Sequence, residues 1–114
     1  MSVVLVVEDE PLVLLTICED LASEGYVVLT AANADDAIGI LESRKDIRTV
    51  FTDIEMPGSM DGLRFSAAVR DRWPPIKIVI TSGRRKPGSD QMPINAQFLG
   101  KPYQTVDVLR AFRA

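Results

Sequence analysis

The sequence predicts an α/β fold built on a doubly wound, five-stranded parallel sheet, and two observations carry this prediction. Short apolar runs alternate along the chain with segments whose apolar residues recur at helical spacing. The first run, Val3–Val7, is apolar at every position and mostly β-branched, as in a strand buried on both faces of a parallel sheet. The 114 residues suit a single domain, so we expect one domain over 1–114 with strand order 2-1-3-4-5 and no output domain.

The first half of the chain predicts two helices around a second strand. Pro11 suits the first turn of the first helix and Gly25 ends it. Its inner face would carry Leu14, Ile17, Cys18 and Leu21. The second strand is expected over residues 26–30. Asn33 is a suitable N-cap for the second helix, which runs to about Arg44 with an inner face of Ala37, Ile40 and Leu41.

The second half of the chain predicts three more strands, over residues 49–53, 76–81 and 97–100. A third helix over residues 61–73 follows a Pro- and Gly-containing loop and stops before Pro74 and Pro75. Its buried face would consist of Leu63, Phe65, Ala67, Ala68 and Val69. The last helix is indicated by the spacing of Val106, Leu109, Ala111 and Phe112.

The crossover between the fourth and fifth strands is unusual. A parallel crossover normally contains a helix, but residues 82–95 hold two prolines, two glycines and little apolar periodicity. We therefore expect a short or irregular fourth helix of one or two turns around Ser89 to Pro93. The basic run Arg84-Arg85-Lys86 is interpreted as a solvated loop, with contact to an acidic partner as the less favoured alternative.

Composition and charge exclude several classes of function. Thirteen basic and sixteen acidic residues give a net charge of −3, which disfavours direct nucleic-acid binding. No apolar run reaches the roughly 18 residues of a membrane span, and Met1-Ser2 leads directly into a strand, so we expect a cytoplasmic protein without membrane association. One cysteine and no histidine leave no internal disulfide, histidine metal site or catalytic triad.

Polar residues follow four of the five predicted strands: the pair Glu8-Asp9, Asp53, Thr81 and Lys101. The carboxyl ends of parallel strands meet at one edge of the sheet, where ligands bind. Three carboxylates, a hydroxyl and an ammonium at that edge suit a divalent cation beside a phosphoryl group. Asp53 would be the group that is chemically modified, since carboxylates serve as acceptors in enzymes that form an aspartyl phosphate.

Each of these residues also has a plainer structural explanation. Acidic residues are common at helix N-termini, which accounts for Glu10 but less well for two acids that face a third. Neighbouring residues on a strand point to opposite faces, so we expect Asp9 to be the direct cation ligand and Glu8 to assist. Considered separately, Thr81 could simply be a residue that favours strands, and Lys101 could be an ordinary surface lysine. Their common position at the strand ends favours the functional interpretation.

Five stretches carry a family resemblance: Val6–Glu10, Phe51–Pro57, Met60–Leu63, Val79–Gly83 and Phe98–Tyr103. Each stretch alone is a weak signal, but their order and spacing together are specific. Over nearly its whole length the chain resembles the receiver domain of two-component response regulators, which has a flavodoxin-like, CheY-like fold.

The resemblance implies a role for each acid. Asp53 is similar to the phosphoacceptor of the family. Glu8 and Asp9 are similar to its acidic pocket. Mg²⁺ would be held by Asp9, Asp53 and the backbone carbonyl of Glu55.

The resemblance implies further roles for residues on the last two strands. Thr81 is similar to the switch hydroxyl, Lys101 to the family's ammonium, and Phe98 to the switch aromatic that moves when the hydroxyl does. The Lys101-Pro102 bond is expected to be cis. The phosphodonor would be a phosphohistidine on a histidine kinase or histidine phosphotransfer protein. The downstream protein target is not identified by the sequence, and a homodimer is left open.

Two alternatives to a phosphorylation-dependent switch remain at this point. The first is a non-phosphorylated interaction module on the same fold, which weak Mg²⁺ binding would support. The second is an aspartate-nucleophile phosphatase, a true enzyme. Such phosphatases typically have a second Asp two residues after the nucleophile, where this chain has Glu55. They also carry a cap for which this chain has no room, so we expect a signalling domain whose only chemistry is its own phosphorylation and dephosphorylation.

Overall fold

The computed structural model describes residues 2–114, which form a five-stranded sheet of order β2-β1-β3-β4-β5. The strands are β1 (Val3–Val7), β2 (Val27–Ala31), β3 (Ile47–Asp53), β4 (Lys77–Ser82) and β5 (Gln97–Gly100). The α-helices are α1 (Pro11–Ser23), α2 (Ala34–Ser43), α3 (Gly62–Arg72) and α4 (Thr105–Arg113). Every neighbouring pair of strands is parallel. The predicted fold class and strand order are confirmed.

Each face of the sheet has its own hydrophobic core because successive strand residues point to opposite sides. On one face, Leu5 and Val50 pack with residues of α2 and α3, including Leu41 and Phe65. On the other face, Val4 and Phe51 pack with α1 and α4, including Leu21 and Phe112. The strands are therefore covered on both sides, which explains why β1 is apolar at every position.

The predicted bounds of α2 and α3 are close to the observed ones, and the N-cap predicted for α2 is confirmed. The side chain of Asn33 accepts a hydrogen bond from the backbone N–H of Asp36, and Asp61 caps α3 in the same way. One detail of the predicted buried face is wrong: Ala67 is exposed. The inner face of α3 is instead completed by Ser66, whose hydroxyl donates to the carbonyl of Gly62 at 2.6 Å.

The crossover between β4 and β5 contains a single 3₁₀ turn, Ser89–Gln91, as the sequence predicted. The guanidinium of Arg70 donates to the carbonyl oxygens of Ile94, Pro74 and Ile76 at 3.0, 2.7 and 2.7 Å. Hydrogen bonds from α3 therefore fasten the end of this irregular segment. Among residues 2–114, no helix combines the length and apolar character needed to cross a bilayer.

The strand register determines which side chains meet at the carboxyl edge of the sheet. Strand β1 lies between β2 and β3, so the chain reverses its winding direction beside β1. Asp53 on β3 is the register partner of Thr81 on β4, and Thr81 in turn is the partner of Leu99 on β5. The polar residues at the carboxyl ends of β1, β3, β4 and β5 are thereby gathered at one edge.

Candidate functional site

Asp53 and Thr81 form the floor of the candidate site. They end two adjacent strands and are only 4% and 3% exposed. Asp53 Oδ1 and Thr81 Oγ1 are both buried and have no hydrogen-bond partner among residues 2–114. Buried polar atoms are nearly always paired in native proteins, so two unpaired oxygens on neighbouring strands indicate a place where another group binds.

Lys101 reaches this floor from the end of β5. Its Nζ donates to Asp53 Oδ2 at 3.0 Å and to Glu8 Oε1 at 2.9 Å. The backbone N–H of Lys101 donates to the carbonyl of Ser82 at 3.0 Å, and the following bond to Pro102 is cis, as the resemblance led us to expect. One ammonium therefore connects carboxylates from β1 and β3.

The two acids that follow β1 differ in exposure, as expected for neighbouring residues that point to opposite faces. Glu8 is buried at 4% exposure, whereas Asp9 is exposed. One carboxylate oxygen from each of Glu8, Asp9 and Asp53 lies within 4.8 Å of the other two. Glu8 is already engaged, because Oε1 accepts from Lys101 and Oε2 accepts from the backbone N–H of Glu10 at 3.1 Å. The assignment of Asp9 as the direct ligand and Glu8 as the assisting one stays a prediction.

Burial and neighbouring charges shift two pKa values in the site. Burial raises the pKa of Asp53, the hydrogen bond from Lys101 partly offsets this, and the charges of Glu8 and Glu55 raise it further. Burial lowers the pKa of Lys101, but its hydrogen bonds to Glu8 and Asp53 outweigh that effect and hold the pKa above its ordinary value. Lys101 is therefore charged at neutral pH. The charged form of Asp53 is disfavoured by its surroundings, and a further cation would stabilise it.

This donor set fits a hard divalent cation. Mg²⁺ prefers oxygen ligands and usually takes one or two carboxylates together with phosphate oxygens and waters. Glu8, Asp9 and Asp53 supply carboxylate oxygens, and Asp53 Oδ1 has no other partner among the described residues. The predicted Mg²⁺ therefore suits the residues present.

The start of α3 packs closely against the backbone of Asp53. The N–H of Gly62 donates to the carbonyl of Ile54 at 2.8 Å, and a Cβ at position 62 would lie 1.9 Å from the carbonyl oxygen of Asp53. The hydroxyl of Thr52 donates to that same carbonyl oxygen at 3.0 Å. Only glycine permits this approach of α3 to the end of β3.

The side chains of Phe98 and Tyr103 pack on opposite faces of the sheet. Phe98 is half-buried and packs against the core that α2 and α3 cover. Its role as the switch aromatic stays a prediction. Tyr103 packs edge-on against Phe51, with ring centroids 5.5 Å apart, and burial raises its pKa to about 12. The phenol of Tyr103 is therefore protonated throughout the neutral range.

A cluster of polar side chains beside the site was not predicted from the sequence. Ser82 Oγ donates to the Glu55 carboxylate, with distances of 2.7 and 2.9 Å to its two oxygens. Arg85 Nε lies 3.8 Å from Glu55 Oε2, and Arg85 Nη2 lies 3.3 Å from Asp61 Oδ2. Arg84, Arg85 and Lys86 are all exposed, as predicted for a solvated loop, and Arg85 in addition forms ion pairs with two acids. The signal was the placement of acids after β3 opposite bases after β4, on adjacent strands.

The chain is similar to known proteins in both sequence and structure. The family profile described as response regulator receiver domain matches residues 4–113. A putative NtrX-like response regulator of Rickettsia felis is 35% identical over 98 residues, which are 85% of this chain and 20% of that protein. The chain thus spans about one fifth of the length of this curated relative.

Solved structures show the same fold. A response regulator receiver protein from Sinorhizobium medicae has a TM-score of 0.92 and 26% identity, covering 98% of this chain and 91% of that chain. The response regulator TrrA from Thermotoga maritima, in complex with Mg²⁺-BeF, has a TM-score of 0.84 and 27% identity, with coverage of 99% and 97%. The profile, the relatives and the folds agree along almost the whole sequence, and the chain belongs to the response regulator receiver domain family of two-component signalling.

Proposed function

We propose that this chain is a phosphorylation-dependent signalling switch that accepts a phosphoryl group from a partner phosphohistidine onto Asp53 in the presence of Mg²⁺. One observation carries the proposal: Asp53 Oδ1 and Thr81 Oγ1 are buried, adjacent and without partners among residues 2–114, beside an ammonium and two further acids. A phosphoryl oxygen would accept from the Thr81 hydroxyl, and the cation would occupy the unpaired side of the Asp53 carboxylate.

The proposed chemistry assigns each residue a separate task. An oxygen of Asp53 forms a bond to phosphorus while the P–N bond of the donor breaks, and its electron pair stays on the donor imidazole. Lys101 neutralises charge on Asp53 and on the transferred group. Thr81 donates to a phosphoryl oxygen. When bound by Asp9, Asp53 and the backbone carbonyl of Glu55, with Glu8 assisting, Mg²⁺ supplies neutralisation of the phosphoryl charge.

An apolar groove beside Lys101 supports the presence of a protein phosphodonor. It has a volume of about 510 Å³ and lies between α1 and the segment Pro102-Tyr103. Leu12, at its edge, is 79% exposed. Lys101 lines this groove and also contacts Asp53. A histidine kinase or phosphotransfer protein seated there would have its imidazole beside the acceptor, in the cytoplasm.

The proposal assigns no turnover of external substrates to this chain. Its chemistry would be limited to phosphorylation and dephosphorylation of Asp53, with Thr81 and Phe98 passing the change to a downstream protein. Purified protein incubated with small phosphomonoesters and Mg²⁺ should release no phosphate beyond one equivalent. Sustained release would identify a phosphatase instead.

The deciding experiment combines beryllofluoride or acetyl phosphate with Mg²⁺ on the wild type and on Asp53→Asn. Changes in the NMR spectrum, and an added phosphoryl mass with acetyl phosphate, are expected for the wild type and absent for the variant. Asp46→Asn is the matched control, because it removes an exposed carboxylate just before the other end of β3. A wild type that does not respond would leave only the non-phosphorylated interaction module.

A further inference from the structure

The carboxylate of Glu55 is held in place by two residues that follow Thr81. Ser82 is 3% exposed, and its hydroxyl donates to the two Glu55 oxygens at 2.7 and 2.9 Å. Arg85 Nε approaches one of these oxygens to 3.8 Å. The Glu55 carboxylate is not part of the cluster formed by Glu8, Asp9 and Asp53.

The hydroxyl of Ser82 is fixed in direction by its other bonds. Its oxygen accepts from the backbone N–H groups of Arg84 at 3.1 Å and Arg85 at 3.2 Å. With its acceptor capacity used, the single hydroxyl proton is left for Glu55. Arg85 is anchored at a second point by Asp61, the N-cap of α3, at 3.3 Å. The loop after β4 is thereby tied to the loop after β3.

Glu55 matters electrostatically because its charge is felt at the acceptor, where it adds to the factors that raise the pKa of Asp53. A glutamate side chain that is not held has several rotamers and would sample positions nearer to the cluster of acids. An incoming phosphoryl group carries negative charge, so a free carboxylate beside its path would repel it. The hydrogen bond from Ser82 and the ion pair with Arg85 restrict these rotamers, and the guanidinium of Arg85 offsets part of the charge.

We propose that Ser82 and Arg85 are positioning residues that hold the Glu55 carboxylate away from the phosphoryl path and thereby speed phosphorylation of Asp53. The inference rests on the proposed function of Asp53. Ser82 acts through a part-buried, charge-assisted hydrogen bond, which is the stronger contact. Arg85 acts through a partly exposed ion pair, with side-chain exposures of 49% and 29% for Arg85 and Glu55, which is weaker.

The test is the rate of phosphorylation by acetyl phosphate at saturating Mg²⁺, followed by intact-protein mass spectrometry. We expect Ser82→Ala to slow the reaction about tenfold and Arg85→Ala about threefold, in keeping with the strengths of a charged hydrogen bond and a surface ion pair. Arg85→Lys should recover most of the rate because an ammonium can pair with the same carboxylate. Arg84→Ala, which removes a neighbouring charge that forms no ion pair among the described residues, should leave the rate unchanged.

A double-mutant cycle with Glu55→Gln separates positioning from a direct effect. In the Glu55→Gln background, Ser82→Ala and Arg85→Ala should each change the rate less than twofold, since no negative charge is left to hold. Equal slowing in both backgrounds would mean that Arg85 acts on the donor itself and would overturn the inference. Unchanged rates for both single variants would overturn it too. A wild type that is never phosphorylated would instead contradict the proposed function of Asp53.

Discussion

Asp53 Oδ1 and Thr81 Oγ1 lie on register partners of β3 and β4, and both are buried without a hydrogen-bond partner among residues 2–114. Lys101 contacts the other oxygen of Asp53 and leaves this side of the carboxylate open. The fold therefore keeps one hydroxyl and one carboxylate oxygen unpaired, at a cost in stability, in the place where the proposed phosphoryl group and cation would bind. Function and stability are opposed at this point, and that opposition can be measured.

Removal of the unpaired Thr81 hydroxyl should stabilise the folded state. Thr81→Val should raise the free energy of unfolding by about 1 kcal/mol, because a buried hydroxyl without a partner costs more than a methyl group. Thr52→Val is the matched control: its buried hydroxyl donates to the carbonyl of Asp53, so its loss should cost about 1 kcal/mol. Urea unfolding of both variants checks the difference in sign. Equal destabilisation would show that Thr81 has a partner in solution.

The raised pKa of Asp53 predicts a pH-dependent stability difference. A carboxyl whose pKa is raised by folding contributes stability that is present at low pH and is lost as pH rises through the folded pKa. The melting temperature of Asp53→Asn should therefore exceed that of the wild type by a margin that grows from acid to neutral pH. Without metal, a ¹³C NMR titration of Asp53 should give a midpoint above the ordinary value of 3.8. A midpoint below that value would contradict the prediction.

Lys101 should stabilise the fold although its side chain is 22% exposed. Lys101→Ala leaves the buried carboxylates of Glu8 and Asp53 without their shared cation, and we expect a loss of about 2 kcal/mol at neutral pH. Saturating Mg²⁺ should restore part of this loss, since the ion binds the folded state. Lys86→Ala, an exposed lysine in the loop after β4, should change stability by less than about 0.5 kcal/mol. Similar losses in the two variants would argue against a special role of the Lys101 contacts.

Gly62 permits the close contact that supports Asp53. Gly62→Ala would place a Cβ 1.9 Å from the carbonyl oxygen of Asp53, and the forced backbone shift should cost about 3 kcal/mol. Gly39→Ala is the contrasting change, because its Cβ would meet nothing within 4 Å inside α2. It should stabilise the protein by about 0.5 kcal/mol through helix propensity. Thermal unfolding of both variants measures the difference, which a harmless Gly62→Ala would contradict.

If a protein phosphodonor docks in the groove beside Lys101, a substitution there should slow transfer from that protein but not from a small phosphodonor. Leu12→Asp should slow transfer from a phosphohistidine protein about tenfold, because it places a charge on the proposed apolar contact surface. The rate with acetyl phosphate, which needs no docking, should stay the same. Ile94→Asp, which alters a similarly exposed apolar residue ahead of β5, serves as the control and should affect neither rate. Equal slowing with both donors would place the effect of Leu12 on the acceptor site itself.

Much of the fold could be predicted from local patterns. The apolar runs of β1 and β4, the cap Asn33 and the Pro- and Gly-rich crossover determine the elements through backbone physics that acts over a few residues. The exposed Ala67 was mispredicted because helical spacing does not fix how wide the buried stripe of α3 is.

The sequence by itself determined the alternation of strands and helices and the polar residues that end the strands, because these follow from periodicity and from the common direction of parallel strands. Only the tertiary structure decided how those residues pair. Lys101 bridges Glu8 and Asp53, whereas Ser82 and Arg85 bind Glu55. Each of these contacts joins residues that are 27 or more positions apart in the sequence. Such contacts arise from packing between elements, so no local pattern encodes them.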